Sequence, residues 1–134
     1  MKTWVLDTNV IVAAHLSPHG PPAHLLQEVY TQRLRLAYDA RIAIEYRTVL
    51  RRDKFDLPRH SVDRFLTVLA DQDLVDARPL KVNLPDEEDR MFLEVAHATA
   101  EMVLVTGNHR HFPRKMRGEV TVLSPAEAWA RLRR

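Results

Sequence analysis

The chain has no cysteine in its 134 residues, only three glycines, and aromatic side chains at 7% of the total. Without cysteine there is no disulfide framework, no thiolate-bound zinc and no thiol nucleophile, so the expected setting is a reducing cytoplasm. The scarcity of glycine leaves no glycine-rich phosphate loop, and Gly107 alone does not make one. Nor do the few aromatics form an RNA-recognition signature of stacking side chains. No apolar run approaches the roughly 20 residues that span a bilayer, and the N-terminus lacks a signal-peptide pattern, so no membrane association is expected. No serine stands in a nucleophile elbow, which leaves a Ser-His-Asp mechanism with little support.

What the sequence does have is a globular balance, 46% hydrophobic and 28% charged, at a length that suits one domain (residues 1–134) around one core. Its formal net charge of +2 hides an uneven distribution. Six acids stand against one base between Val82 and Glu101, and seven bases against two acids between His109 and Arg134. An acidic knot next to a basic tail suits a protein that holds cations and polyanions in adjacent places.

Short apolar runs alternate with helical patterns. Strands are expected at Thr3–Leu6, Leu34–Tyr38, Asp73–Val75, Met102–Val105 and Val120–Leu123. Helices are expected after Asp7-Thr8-Asn9, over Ala23–Gln32, from Asp39 to Arg52, over Ser61–Ala70, and from Asp86 or Glu87 to Ala100. A capping box, Ser124-Pro125-Ala126-Glu127, opens a last helix through Trp129 and Leu132. This alternation predicts an α/β domain with a short, mainly parallel central sheet flanked by helices.

In such sheets ligands bind at the carboxyl ends of the strands, where Asp7 and Asn108 both fall. Asp7 reads equally as a helix cap, and Asn108 as a loop residue. Glu45 shares an apolar helical stripe with Ile42 and Val49, where a carboxylate costs free energy unless it is paired with a buried arginine, protonated or bound to a cation. Asp89 aligns in the same way with Phe92, Leu93 and Ala96, while Asp86 suits the cap and Glu87 and Glu88 face outward. Inward carboxylates on separate elements repel one another unless their pKa values rise or divalent cations neutralise them. Oxygen ligands without cysteine match Mg²⁺ or Mn²⁺, ions suited to phosphodiester hydrolysis. His109 and His111 flank Arg110 and read as zinc ligands, phosphate contacts or exposed loop residues, with zinc the least favoured. His15, His19 and His24 read as surface residues. Arg51, Arg52, Arg110, Arg114 and Lys115 are candidates to steer a nucleic-acid backbone toward the acids, against the alternative of a solvated basic surface.

The ordered segments Val5-Leu6-Asp7-Thr8-Asn9-Val10, Glu45-Tyr46-Arg47-Thr48-Val49-Leu50-Arg51-Arg52, Asp89-Arg90-Met91-Phe92-Leu93-Glu94-Val95-Ala96, Leu104-Val105-Thr106-Gly107-Asn108 and Ser124-Pro125-Ala126-Glu127 span nearly the whole chain. Together they resemble PIN-domain proteins, specifically the branch of toxin components related to VapC-like ribonucleases. The resemblance implies a PIN-like three-layer domain and Mg²⁺- or Mn²⁺-dependent cleavage of RNA. It also implies a cognate antitoxin and frequent homodimerisation. Carried over position by position, it makes Asp7, Glu45 and Asp89 metal ligands and Asn108 the counterpart of a fourth catalytic acid. Asn108 brings no charge, so the second metal position then relies on substrate phosphate or Asp86. Thr8 and Thr106 become hydroxyls that orient the carboxylates. The competing expectation, motivated by Asn108, is a PIN-like module that binds RNA or protein without cutting.

Overall fold

The computed structural model covers residues 1–134. Five strands, β1 (Lys2–Leu6), β2 (Leu34–Tyr38), β3 (Asp73–Leu74), β4 (Val103–Val105) and β5 (Thr121–Leu123), form one sheet in the order β3-β2-β1-β4-β5. Every neighbouring pair is parallel. Parallel neighbours need crossover connections, and the helices supply most of them. These are α1 (Thr8–Leu16), α2 (Pro21–Tyr30), α3 (Ala40–Leu50), α4 (Arg59–Leu69), α5 (Arg90–His97) and α6 (Pro125–Leu132). The connections β1→β2 and β2→β3 step one way across the sheet, while β3→β4 steps back. Right-handed crossovers therefore put α1–α4 and α5 on opposite faces, giving three layers. The fold is the α/β architecture expected from the alternation of strands and helices.

The winding reverses between β1 and β4. That reversal opens a crevice at the carboxyl ends of two adjacent strands, the place where parallel sheets bind ligands. The backbone there is tightly bridged: Asp7 N–H donates to the Val105 carbonyl at 2.8 Å, and Thr106 N–H to the Leu123 carbonyl at 2.9 Å. One continuous core lies beneath, with Trp4, Tyr46, Phe65, Phe92 and Phe112 among its fully buried side chains.

Local chemistry explains where elements begin. Asp39 caps α3 by accepting from Ile42 N–H, and Ser124 and Glu127 complete a capping box on α6. Several expected boundaries shift by one to three residues, two of them for a visible local reason. The second helix begins at Pro21, because prolines in a first turn forgo amides that have no helical partner. The acidic helix starts as a 3-10 turn, Glu87–Asp89, and α5 ends at His97 instead of Ala100. There the Thr99 hydroxyl donates to the Ala96 carbonyl at 2.8 Å, and Met102 N–H donates to that hydroxyl oxygen at 3.1 Å. Met102 itself takes φ +52°, which turns the chain into β4.

No helix of the protein is long and apolar enough to cross a membrane.

Candidate active site

A cleft of about 450 Å³ opens at the β1/β4 reversal. Asp7, Glu45 and Asp89 line it together with Thr8, Asn9, Arg52 and His111, and Val12, Leu16, Val49 and Phe55 form an apolar flank. The three acids come from three separate segments: the end of β1, the middle of α3 and the turn before α5.

Asp7 occupies the N-cap position of α1, yet its side chain makes no capping bond. The carboxylate turns instead toward β4, where Oδ2 accepts from the Thr106 hydroxyl at 2.8 Å and from Asn9 Nδ2 at 3.2 Å. Asn9 is itself held, because its Oδ1 accepts from Gly107 N–H at 2.9 Å. From behind, the buried Tyr46 hydroxyl donates to the Leu6 carbonyl, one residue before Asp7. Burial pushes the Asp7 carboxyl above its ordinary value, and the Thr106 hydrogen bond opposes that rise.

Glu45 is half-buried and its Oε2 accepts from the Thr8 hydroxyl at 3.3 Å. Burial raises its pKa, while the Thr8 hydrogen bond pulls the other way and the negative field of Glu88 adds to the rise. No arginine pairs with Glu45. The arginine-paired buried acid is Glu94 on α5, 3% exposed, which binds Arg41 at 2.7 Å and accepts from Leu80 N–H at 2.8 Å. Glu94 is thus a structural strut, and Glu45 keeps its carboxylate for the cleft.

Asp89 is 8% exposed, and burial, reinforced by the charge of Asp7, pushes its carboxyl up to about 6. His111 Nδ1 lies 2.8 Å from Asp89 Oδ2, but the ring is not aligned to donate, and that oxygen has no hydrogen-bond partner. Asp86 caps the preceding turn, accepting from Glu88 N–H at 3.0 Å. Ligand atoms of Asp86, Asp89 and His111 all lie within 4.8 Å of one another.

Three carboxyls that each resist ionisation, one with an unpartnered buried oxygen, form a donor set that a divalent cation would relieve. The oxygens, with one imidazole beside them, fit a hard ion such as Mg²⁺ or Mn²⁺.

The remaining sequence candidates separate. Thr8 and Thr106 contact the acids directly, as described above. Asn108 lines a neighbouring depression with Asn9, Gly107 and Pro125, outside the acidic cleft, and its N–H donates to Thr106 Oγ1 at 3.1 Å. The 3-10 turn His109–His111 carries the chain past Asn108 and returns His111 to the carboxylates. Arg52 stands at the cleft, whereas Arg51 faces Asp63 at 3.7 Å. Arg110, Arg114 and Lys115 are exposed and do not line the cleft. His109 sits 3.9 Å from Glu127, so the two histidines flanking Arg110 do not converge. Of the three histidines expected at the surface, His15 stacks edge-on against Phe65 and His24 packs against Trp129.

Sequence reasoning left two side chains out of the site. Asn9 was visible only as part of a capping-type triplet, and His111 only as half of a His-x-His pair. Neither bracket could be read without knowing that β1 and β4 are neighbours.

Residues 3–110 match the family described as PIN domain, and the chain belongs to that family. Its fold and the acid-lined cleft agree with the nuclease-type chemistry of PIN domains and with their use of divalent metals. No curated protein and no solved structure matches the chain.

Proposed function

We propose that this protein is a metal-dependent endoribonuclease, the toxin of a toxin–antitoxin pair, with Asp7, Glu45 and Asp89 holding Mg²⁺ or Mn²⁺. The observation that carries this is the convergence of three acids from separate segments on one cleft at the sheet's topological switch point. A divalent ion bound there supplies an activated water and neutralises charge on the scissile phosphate. The chain's own groups prepare that chemistry. Thr106 and Asn9 hold the Asp7 carboxylate in one orientation, and Thr8 does the same for Glu45. Arg52 stands beside the acids, where a guanidinium can attract and seat an incoming phosphate. Exposed Arg110, Arg114 and Lys115 extend the positive surface along the chain that leaves β4. The apolar flank of Val12, Leu16, Val49 and Phe55 offers a surface on which a partner antitoxin can exclude substrate. Homodimerisation and cytoplasmic residence belong to the same proposal.

The test compares wild type, Asp7→Asn and Glu45→Gln on defined RNAs with Mg²⁺, with Mn²⁺ and with chelator. Metal-dependent cleavage that both substitutions abolish is expected, and equal cleavage by all three proteins defeats the assignment. Growth arrest on expression, relieved by the product of an adjacent short reading frame, is the expected sign of the toxin role.

A second reading follows from Asn108, an amide where the resemblance places a fourth acid. In that reading the domain holds RNA or a protein without cutting. Tight RNA binding with no cleavage under any metal and no growth arrest would favour it.

A further inference from the structure

We propose that His111 is a metal ligand, so that Asp86, Asp89 and His111 form a mixed oxygen–nitrogen site that prefers first-row transition dications to Mg²⁺. This rests on the reading of the cleft as a metal centre and assigns the charge-free position of Asn108 a substitute from three residues further on. Residue 111 also lies just beyond the stretch that matches the family, so nothing in that match assigns it a role.

The observations are geometric. His111 Nδ1 and Asp89 Oδ2 stand 2.8 Å apart, a distance at which an aligned N–H would make a strong hydrogen bond. The alignment is absent, and Asp89 Oδ2 remains without a donor although Asp89 is 8% exposed. A buried carboxylate oxygen in that state needs a positive partner. Two ligand atoms this close, with no aligned hydrogen bond between them, are placed as adjacent donors to one cation. Neighbouring ligands of an octahedral ion with bonds of about 2.1 Å sit about 3 Å apart. Asp86 supplies a third ligand atom within 4.8 Å, and its carboxylate is held in place by Glu88 N–H, which donates to Oδ1. Ligand chemistry then sets the preference. Imidazole nitrogen binds transition dications well, whereas Mg²⁺ favours oxygen ligands and water. No other histidine lines the cleft, so a nitrogen signal from a bound ion has one source.

Mn²⁺ provides the probe. Electron spin-echo spectroscopy of the Mn²⁺-loaded protein should show nitrogen-14 coupling that disappears in His111→Ala. Calorimetric titration should show Mn²⁺ affinity falling by about tenfold or more in His111→Ala while Mg²⁺ affinity stays within about twofold. His111 is 40% exposed at its side chain, so the substitution opens no core cavity. His111→Asp, which returns an oxygen ligand, should bind both ions without nitrogen coupling and lose the preference. Absence of nitrogen coupling in wild type overturns the proposal, as does equal weakening of both ions in His111→Ala. Asp7→Asn and Glu45→Gln separate this from the parent reading. If they abolish Mn²⁺ binding while wild type lacks nitrogen coupling, the carboxylate centre stands and His111 is no ligand. If both leave a nitrogen-coupled Mn²⁺ unchanged, His111 is a ligand and the three-carboxylate centre falls.

Discussion

Replacing Asp89 by asparagine should make the metal-free protein more stable at neutral pH, and the gain can be worked from the cleft. Burial and the neighbouring charge of Asp7 hold the Asp89 carboxyl at about 6, against an ordinary 3.8. Below about pH 3 the carboxyl is protonated in both folded and unfolded chains and imposes no penalty. As pH rises the unfolded chain gives up its proton first, so folded stability falls until the folded carboxyl also ionises. Above about pH 7 the loss is constant, and by linkage it reaches about 3 kcal/mol at most. Water in the open cleft screens part of this, leaving about 1–2 kcal/mol. Asparagine removes the titration, so Asp89→Asn should gain that amount over wild type as pH rises from about 3 to 7.5 in chelator, most of it between pH 4.5 and 7.5. In thermal unfolding this is roughly 3–8 °C in Tm at pH 7.5. Saturating Mn²⁺ should reverse the order, since an ion at about 100 times its Kd adds about 2.7 kcal/mol to wild type and little to the variant. A difference between the two proteins that stays flat across this pH range in chelator would refute the reasoning.

Other perturbations test the supports of the site. Thr106→Val deletes the hydroxyl that donates to Asp7 at 2.8 Å and should weaken metal affinity by about tenfold, read by calorimetry, with an intact circular dichroism spectrum. Tyr46→Phe removes the buried hydroxyl that holds the Leu6 carbonyl and should cost about 1–2 kcal/mol in urea unfolding. Glu94→Ala leaves Leu80 N–H without its acceptor and Arg41 without its buried partner, and should cost about 2–4 kcal/mol. Glu94→Gln, which keeps an acceptor for Leu80, should cost clearly less in the same assay. Asn108→Ala, outside the acidic cleft, should change Mn²⁺ affinity by less than about threefold.

Much of the fold was legible because its signals are local. The apolar run Leu34–Tyr38 is a strand with the expected bounds, and the Ser124–Glu127 capping box opens α6 as written in the residues. The strand order was not legible. It is a long-range property, and it decides that the ends of β1 and β4 become neighbours. That adjacency is why Asp7 turns away from the helix it could cap: Thr106, ninety-nine positions later, offers a donor at 2.8 Å. The same limit hid His111. Asn108 stands closer to the end of β4 in sequence, but a 3-10 turn sends the next side chains round, and the third one faces Asp89.

Two helical acids, Glu45 and Glu94, show what an apolar stripe does and does not say. Glu45 shares an apolar stripe with Ile42 and Val49, whereas Glu94, whose helical neighbours include Arg90 and His97, gives no such sign. Yet both carboxylates sit where a charge needs compensation. The fold separates them by what it brings to each. Arg41, on the first turn of α3, reaches Glu94 at 2.7 Å, and Leu80 N–H closes its second oxygen, so both demands of that charge are met within the protein. Glu45, four residues beyond Arg41 on the same helix, receives one hydroxyl at 3.3 Å and faces the like charges of Glu88 and Asp7. One acid is therefore satisfied and the other is left in deficit beside two more in the same condition. An excess of negative charge left uncompensated at a strand-end crevice is destabilising on its own, and it becomes favourable only when a cation enters. Arg52 is the one guanidinium lining the cleft; its charge acts on Glu45 but it makes no ion pair there, and the cleft stays acidic.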